Sequence, residues 1–225
     1  MSFQIAIDGP AGAGKSSIAR RVAGKLGFLY IDTGAMYRAL GLFFADRKIP
    51  LDDEAAIEEQ LPEADITIRL IDGEQHVFLN GADVNGRIRS EEAGMAASKV
   101  STYRAVRKKL VECQQKIAGS LDVVMDGRDI GTVVLRDAPL KVFLTATPEV
   151  RARRRLHDLE KRGQTADPAE VEKDIRARDE QDMNRAESPL HQAEDAVYLD
   201  SSDMTIEQVT ARILELVNER RKDSQ

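Results

Sequence analysis

The sequence predicts an α/β fold: a parallel sheet flanked by helices on both sides, with a small antiparallel insertion and a mobile lid. Three observations predict it. Short apolar runs alternate with helix-length amphipathic segments; a Gly-rich loop joins the first apolar run to the first helix; and one stretch switches to period-two alternation.

Apolar runs at 3–7, 28–31, 123–125, 142–144 and 197–199 read as brief strands buried on both faces. Amphipathic segments at 16–26, 103–118, 149–161 and 206–219 lie between them. Strands alternating with helices in this way give a parallel sheet covered by helices. The exception is "ADITIRLIDGEQHVFLNGADVNG", which alternates around an Asp72-Gly73 turn and a second turn at Asn80-Gly81. It predicts an antiparallel insertion from about residue 64 to 86, too small for a core of its own. At 225 residues the chain suits one domain spanning 1–225.

Composition narrows the function. A 42% hydrophobic share fills a core, while a net charge of −6 and the absence of tryptophan argue against a nucleic-acid binder. Cys113 is the single cysteine and stands in register with Val106, Leu110 and Ile117, so it reads as a core thiol rather than a disulfide partner. No apolar run reaches the roughly 18–20 residues of a membrane span, and no leader pattern opens the chain, so a soluble, cytoplasmic protein is expected, with a monomer as the default. His76, His157 and His191 are dispersed and show no metal-ligand spacing.

The loop Gly9, Pro10, Ala11, Gly12, Ala13, Gly14, Lys15, Ser16, Ser17 matches G-x-x-x-x-G-K-[ST], after a strand and before a helix, as that motif requires. Glycines let backbone N–H groups curl around an oxyanion, and the helix N-terminus adds its positive end. Lys15 would reach the β- and γ-phosphates of ATP, and the Ser16 hydroxyl would ligate Mg²⁺. The fold is therefore of the P-loop NTPase kind. No Asn-Lys-x-Asp string follows, which weakens a guanine-nucleotide switch.

Three further stretches carry polar groups that a core does not need. In "DTGAMYR", Asp32 and Thr33 follow the second strand at the sheet's carboxyl edge, with Arg38 in the next helix. A helix cap with a surface arginine explains this equally well. In "VVMDGRDIGT", Asp126 ends a buried strand as a Mg²⁺-holding acid does, followed by Arg128 and Asp129; a turn with salt-bridged charges is the alternative. In "RDEQDMNR", Arg178, Asp182 and Arg185 share one helical face, whether as a site or as a solvated ion pair. Arg151, Arg153, Arg154 and Arg155 open a helix, where cations oppose the helix dipole and gain from an anion; an Arg154–Asp158 pair is the modest alternative.

Taken in order, GPAGAGKSS, DTGAMYR, VVMDGRDIGT and RDEQDMNR resemble the cytidylate kinases, of the nucleoside monophosphate kinase family, along essentially the whole chain. Ser17 stands where many relatives carry threonine. The resemblance implies transfer of a phosphoryl group from ATP, with Mg²⁺, to CMP or dCMP. It implies that Thr33 and Arg38 hold the monophosphate with Arg128 nearby, and that Ser98, Arg107 and Asp129 read the cytosine. Asp182 and Arg185 would contact the sugar and acceptor phosphate. Arg151, Arg154, Arg155 and Arg178 would close over the transferring group. Because water must be kept from ATP, the arginine-rich segment at about 151–163, with Arg151, Arg154 and Arg155, reads as a lid with Gly163 as one hinge. An inserted monophosphate-binding β region would run to about residue 96.

These residues suit that chemistry. Asp129 can accept from the exocyclic amino group of cytosine, whereas uracil would present it a carbonyl, so CMP is expected over UMP. A phosphate monoester is already ionised near neutral pH, its second pKa being about 6, so no general base is needed. Lys15, Arg128, Arg178 and Arg185 would instead offset the repulsion between two anions. The rivals are a kinase of another acceptor (UMP, AMP or a hydroxyl, with Asp32 as base) and an ATP-driven switch.

Overall fold

The computed structural model describes residues 2–71, 73–119, 121–161 and 163–223. Up to the first helix pair the elements are β1 (Gln4–Asp8), α1 (Lys15–Leu26), β2 (Leu29–Asp32) and α2 (Thr33–Asp46). There follow α3 (Glu54–Gln60), β3 (Ile66–Ile71), β4 (Glu74–Leu79), β5 (Ala82–Asp83), α4 (Glu91–Val100) and α5 (Arg104–Ala118). The chain then runs through β6 (Val123–Gly127), β7 (Leu140–Thr145), α6 (Pro148–Lys161), α7 (Pro168–Asn184), β8 (Val197–Asp200) and α8 (Ile206–Asp223). Two compact units result: Ile31–Gly119, and the chain on either side of it.

The larger unit is built on a five-stranded sheet in the order β2-β6-β1-β7-β8. β1 runs parallel to both β6 and β7, and β7 parallel to β8. Ile5 and Ile7 of β1 and Val142 and Leu144 of β7 meet Ile18 and Val22 of α1 and Val209, Ile213 and Val217 of α8 in one apolar cluster. Every residue of β6 is buried, and so are four of five in β1 and four of six in β7, as strands covered on both faces require. The outer strands depart from the expectation. β8 buries none of its residues and β2 only Ile31, because an edge strand has a neighbour on one side alone. Tyr198 of β8 is 57% exposed, and its ring stacks at 6.2 Å on that of Phe143.

The Ile31–Gly119 unit has its own apolar centre. Met36, Leu40 and Phe44 form an i, i+4, i+8 stripe on α2, packed with Ile66, Val77, Leu79, Val100 and Leu110. A Cβ on Gly41 would stand 2.7 Å from the Cβ of Ala96, so the absent side chain is what lets α2 and α4 approach. β3 and β4 pair antiparallel, as do β4 and β5. Asn80 and Gly81 both have positive φ, 49° and 81°, which is the two-residue turn expected between β4 and β5. Of the other expected turn, Gly73 has φ 79° and Asp72 lies outside the described residues. The strands end at Asp83, short of residue 96: the Ser90 side chain caps α4 by accepting from Ala93 N, and helix follows from Glu91. The sheet does not need a core of its own, because it shares that of α2, α4 and α5. Cys113 packs against this core, burial raises its thiol pKa, and its Sγ reaches Ile66 O at 3.5 Å. It is a structural thiol.

Candidate active site

The phosphate loop joins β1 to α1 and is shaped by backbone constraint. Gly9 has φ 148°, and a Cβ there would fall 1.9 Å from Leu144 O, so no other residue fits. Gly14 caps α1 in the left-handed region without any side-chain cap, leaving the first N–H groups of the helix facing outward. Arg151 and Arg154 of α6 brace this loop. The Arg151 guanidinium donates to Ala11 O at 3.0 Å, and that of Arg154 to Ala13 O at 3.3 Å. In a trans peptide the N–H points opposite to the C=O, so drawing these two carbonyls outward turns the N–H groups of Gly12 and Gly14 the other way.

Arg151 is itself held by the Asp179 carboxylate (2.9 Å) and Ala146 O (2.8 Å), and is 3% exposed. Its donors are thus spent on protein groups: it braces the loop rather than closing over substrate. Arg154 reaches Ser201 O at 2.7 Å, not Asp158, and Arg155 is half-buried on the same helix.

Lys15 curls over the loop, its Nζ donating to Pro10 O at 2.7 Å. Burial first, and then the charge of Arg128, lower its ammonium pKa to about 7 against the usual 10.5, with Asp126, Asp182 and Asp8 opposing. An anion placed beside it would restore its hold on the proton. Ser16 Oγ donates to Asp126 Oδ2 at 2.8 Å, and Tyr30 OH donates to Asp126 Oδ1 at 2.9 Å. Ser16 and Asp126, 110 residues apart in sequence, therefore stand side by side.

Beyond β6, Asp129 is buried and precedes a short π-helical turn, Ile130–Val134. Asp129 offers that turn no side-chain cap; the cap comes from Asp8 at the end of β1. Its two carboxylate oxygens accept from Ile130 N (2.8 Å) and Gly131 N (2.7 Å). Burial raises the Asp8 pKa to about 6, against the pull of those two amides. Arg128 Nε donates to Asp182 Oδ2 at 2.8 Å, while Arg185 Nη1 lies 3.8 Å from Asp182 Oδ1. Burial alone would raise the Asp182 pKa, but Arg128, Arg185 and Arg178 outweigh it and hold the carboxyl below its usual value. α7 ends at Asn184, so Arg185 is not on the helical face expected of it; the extended backbone at its C-cap still returns it to Asp182, with Nε donating to Ser188 O at 2.6 Å.

In the Ile31–Gly119 unit, Asp32 does cap α2. Its Oδ1 accepts from Ala35 N at 3.0 Å, its Oδ2 from Arg38 Nη2 at 2.8 Å, and Thr33 behind it is buried. Arg107 is buried, donates to Ser101 O at 3.2 Å and lies 5.6 Å over the Tyr37 ring. Ser98, half-buried on α4, has its backbone O bonded by Ser101 Oγ at 2.9 Å. Sequence reasoning passed over Asp8, Tyr30 and Asp179. Asp8 carried a signal, being an acid that ends an otherwise apolar strand; the other two carried none.

A loop-enclosed lysine, a Ser–Asp pair at its base and arginines gathered on one buried carboxylate define a phosphate-loop kinase. Solved structures share the fold. A gluconokinase from Sinorhizobium meliloti superposes with a TM-score of 0.50 at 15% identity, over 99% of this chain and 98% of its own. An uncharacterized protein from Eubacterium ventriosum does so with 0.54 at 12%, over 96% and 99%. The cytidylate kinase family pattern matches residues 5–219. The cytidylate kinase of Caldicellulosiruptor bescii is 51% identical over 214 residues, 95% of each chain, and that of Lactobacillus johnsonii 46% over 221 residues, 98% of this chain and 96% of its own. The chain belongs to the cytidylate kinase family. It is accordingly a nucleoside monophosphate kinase, a transferase.

Proposed function

We propose that the chain carries the terminal phosphoryl group of ATP to the phosphate of CMP or dCMP, leaving ADP and CDP or dCDP. The observation that carries this reading is the gathering of Arg128, Arg178 and Arg185 on the buried Asp182 carboxylate. Such a set supplies positive charge and contains no free base, which suits an acceptor oxygen that is already ionised. The rival with a hydroxyl acceptor needs a free carboxylate. Asp32, its candidate, has both oxygens committed to Ala35 N and Arg38.

In this reading the outward-braced loop presents its N–H groups to the phosphates of ATP, and Lys15 leaves Pro10 O for them. Arg128, Arg178 and Arg185 offset the charge of the two nucleotides as they meet. Thr33 and Arg38 hold the phosphate of CMP, and Ser98, Arg107 and Asp129 its base. Segment 151–163 is the lid, from which Arg155 would reach substrate. Ser16 and Asp126 fit Mg²⁺, since they offer hard oxygens in a pair already aligned, and Mg²⁺ takes one or two protein ligands beside phosphates. When bound, the ion would neutralise phosphate charge. No described helix is long and apolar enough to cross a membrane; we place the protein in the cytoplasm as a monomer, which light scattering on a sizing column checks.

The test is ADP release from Mg·ATP with CMP, dCMP, UMP, AMP or no acceptor. Turnover with CMP and dCMP far above UMP is expected. Equal rates with CMP and UMP would overturn the assignment of Asp129, and no stimulation by any acceptor would overturn the reading as a whole.

A further inference from the structure

Gln75, on β4, holds the backbone of Asp32 from both sides. Its Oε1 accepts from Asp32 N at 2.7 Å, and its Nε2 donates to Asp32 O at 3.2 Å. One amide side chain thus satisfies both polar backbone groups of one residue, as a neighbouring strand would. Asp32 is the residue whose carboxylate caps α2 and orients Arg38. Its backbone is fixed on one side while its side chain directs an arginine on the other.

Gln75 is in turn held in place. β5 pairs only with Phe78 and Leu79, which leaves the start of β4 without a partner strand on that side. The Asn85 side chain continues the ladder: its Oδ1 accepts from Val77 N and its Nδ2 donates to Gln75 O, each at 3.0 Å. Asn85 itself is pinned by its N–H donating to Asp83 Oδ1 at 2.8 Å. Two amide clamps in series therefore connect the edge of the antiparallel sheet to the head of α2. The sheet shares its apolar core with α2, so this polar line rides on a packed base.

We propose that Gln75 is a positioning residue for the acceptor phosphate, acting through Asp32 to fix the place and direction of Arg38. The antiparallel sheet is then a brace for the acceptor end of the reaction. This rests on the reading that Arg38 holds the phosphate of CMP. Loss of Gln75 frees the Asp32 peptide and lets the Asp32–Arg38 pair shift. CMP binding weakens while the phosphate loop, in the other unit, keeps its own bonds.

The experiment is a double-mutant cycle. kcat, KM for CMP and KM for ATP are measured for the wild type, Gln75→Ala, Arg38→Ala and the double variant. Gln75→Ala is expected to raise KM for CMP about fivefold, the worth of one ordinary hydrogen bond, and to leave KM for ATP unchanged. In the Arg38→Ala background the same substitution is expected to change KM for CMP hardly at all. A Gln75 effect of full size in that background, or no effect in the wild type, overturns the proposal. If Arg38→Ala leaves KM for CMP unchanged, the reading of Arg38 falls first. Should Gln75→Ala fold poorly, Gln75→Glu takes its place: it keeps an acceptor for Asp32 N, loses the donor to Asp32 O, and its rise in KM for CMP must again vanish without Arg38.

Discussion

In the unit that carries the phosphate loop, cations are held by carboxylates in pairs with at least one buried partner: the buried Arg151 by the half-buried Asp179, and Arg128 by the buried Asp182. In the Ile31–Gly119 unit the half-buried Asp32–Arg38 pair is itself set in place by neutral amides on backbone, Gln75 on Asp32 and Asn85 on β4. The difference follows from what each has to do. A loop that must face a triphosphate needs positive charge stored near it, and stored charge in a protein interior must be paired. A helix head that must stand in one place needs its peptide fixed, which an amide does without adding charge. The first arrangement is costly to break and the second merely loosens.

Asp179→Ala tests the costly side. It leaves the Arg151 guanidinium, 3% exposed, without its carboxylate. Breaking one side of such a pair costs about 3–5 kcal/mol, read as a lower midpoint in urea. A loss below about 1 kcal/mol, a surface pair's worth, would show that Ala11 O and Ala146 O satisfy Arg151 alone, and the contrast between the units would collapse.

Lys15→Met separates charge held for function from charge held for structure. Removing one preorganised donor to the reacting phosphates costs about 10²–10³-fold in kcat. Stability moves the other way. The Lys15 pKa is lowered in the folded chain, so between about pH 7 and 10.5 the unfolded chain binds more protons and stability rises with pH. Methionine removes both the burial penalty and that slope. An activity loss accompanied by an equal or higher urea midpoint is expected; a lower midpoint would make Lys15 a structural cation like Arg151.

How much of this was legible in the sequence depended on distance along the chain. The phosphate loop and the Asn80-Gly81 turn are local patterns in which a few adjacent residues dictate the backbone, and both stand where the sequence puts them. Asp126 was legible because an acid that ends a buried strand is out of place there. The bonds that organise the site were not. Arg151 has several acids within reach of its helix, and nothing in the pattern selects Asp179, 28 residues on. Gln75 looks like any polar residue on the outer face of a hairpin; its role comes from a partner 43 residues away. The end of α7 at Asn184 moved Arg185 off the helical face that its spacing implied, because helix ends depend on which partners the next residues find.

Asp8 sits between the two modes, a carboxylate that caps backbone rather than pairing a cation. Its pKa is raised in the folded chain, so the stability it contributes is full below the unfolded value of 3.8 and is lost as pH rises through about 6. Asn carries no such titration. The gap in unfolding free energy between the wild type and Asp8→Asn should therefore shift against the wild type by about 3 kcal/mol across that window, at 1.36 kcal/mol per pKa unit. Denaturant melts at pH 4, 5, 6 and 7 read it directly. A gap that does not change with pH would mean that the amides of Ile130 and Gly131 hold Asp8 as an ordinary exposed-like carboxylate, and that it belongs with the paired acids.

The smallest expected effect sharpens the looser side of the comparison. Asn80 lies at the far end of β4 from Gln75, with φ 49° and its Oδ1 accepting from Asp65 N at 2.7 Å. Asn80→Ala loses that bond and puts a Cβ without a local partner in the left-handed region, together worth about 1–2 kcal/mol. Both substitutions weaken the same small sheet, so they share any effect that comes from loosening it in general. They differ in direction: Gln75 points its amide at the Asp32 peptide, and Asn80 at Asp65 N, just before β3. If the sheet is a directed brace, Asn80→Ala lowers the urea midpoint and leaves KM for CMP where it was, while Gln75→Ala raises KM for CMP at a similar or smaller cost in stability. If Asn80→Ala raises KM for CMP in proportion to the stability it removes, the whole unit is a single soft body, and the amide on Asp32 is one of its bonds rather than the one that aims Arg38.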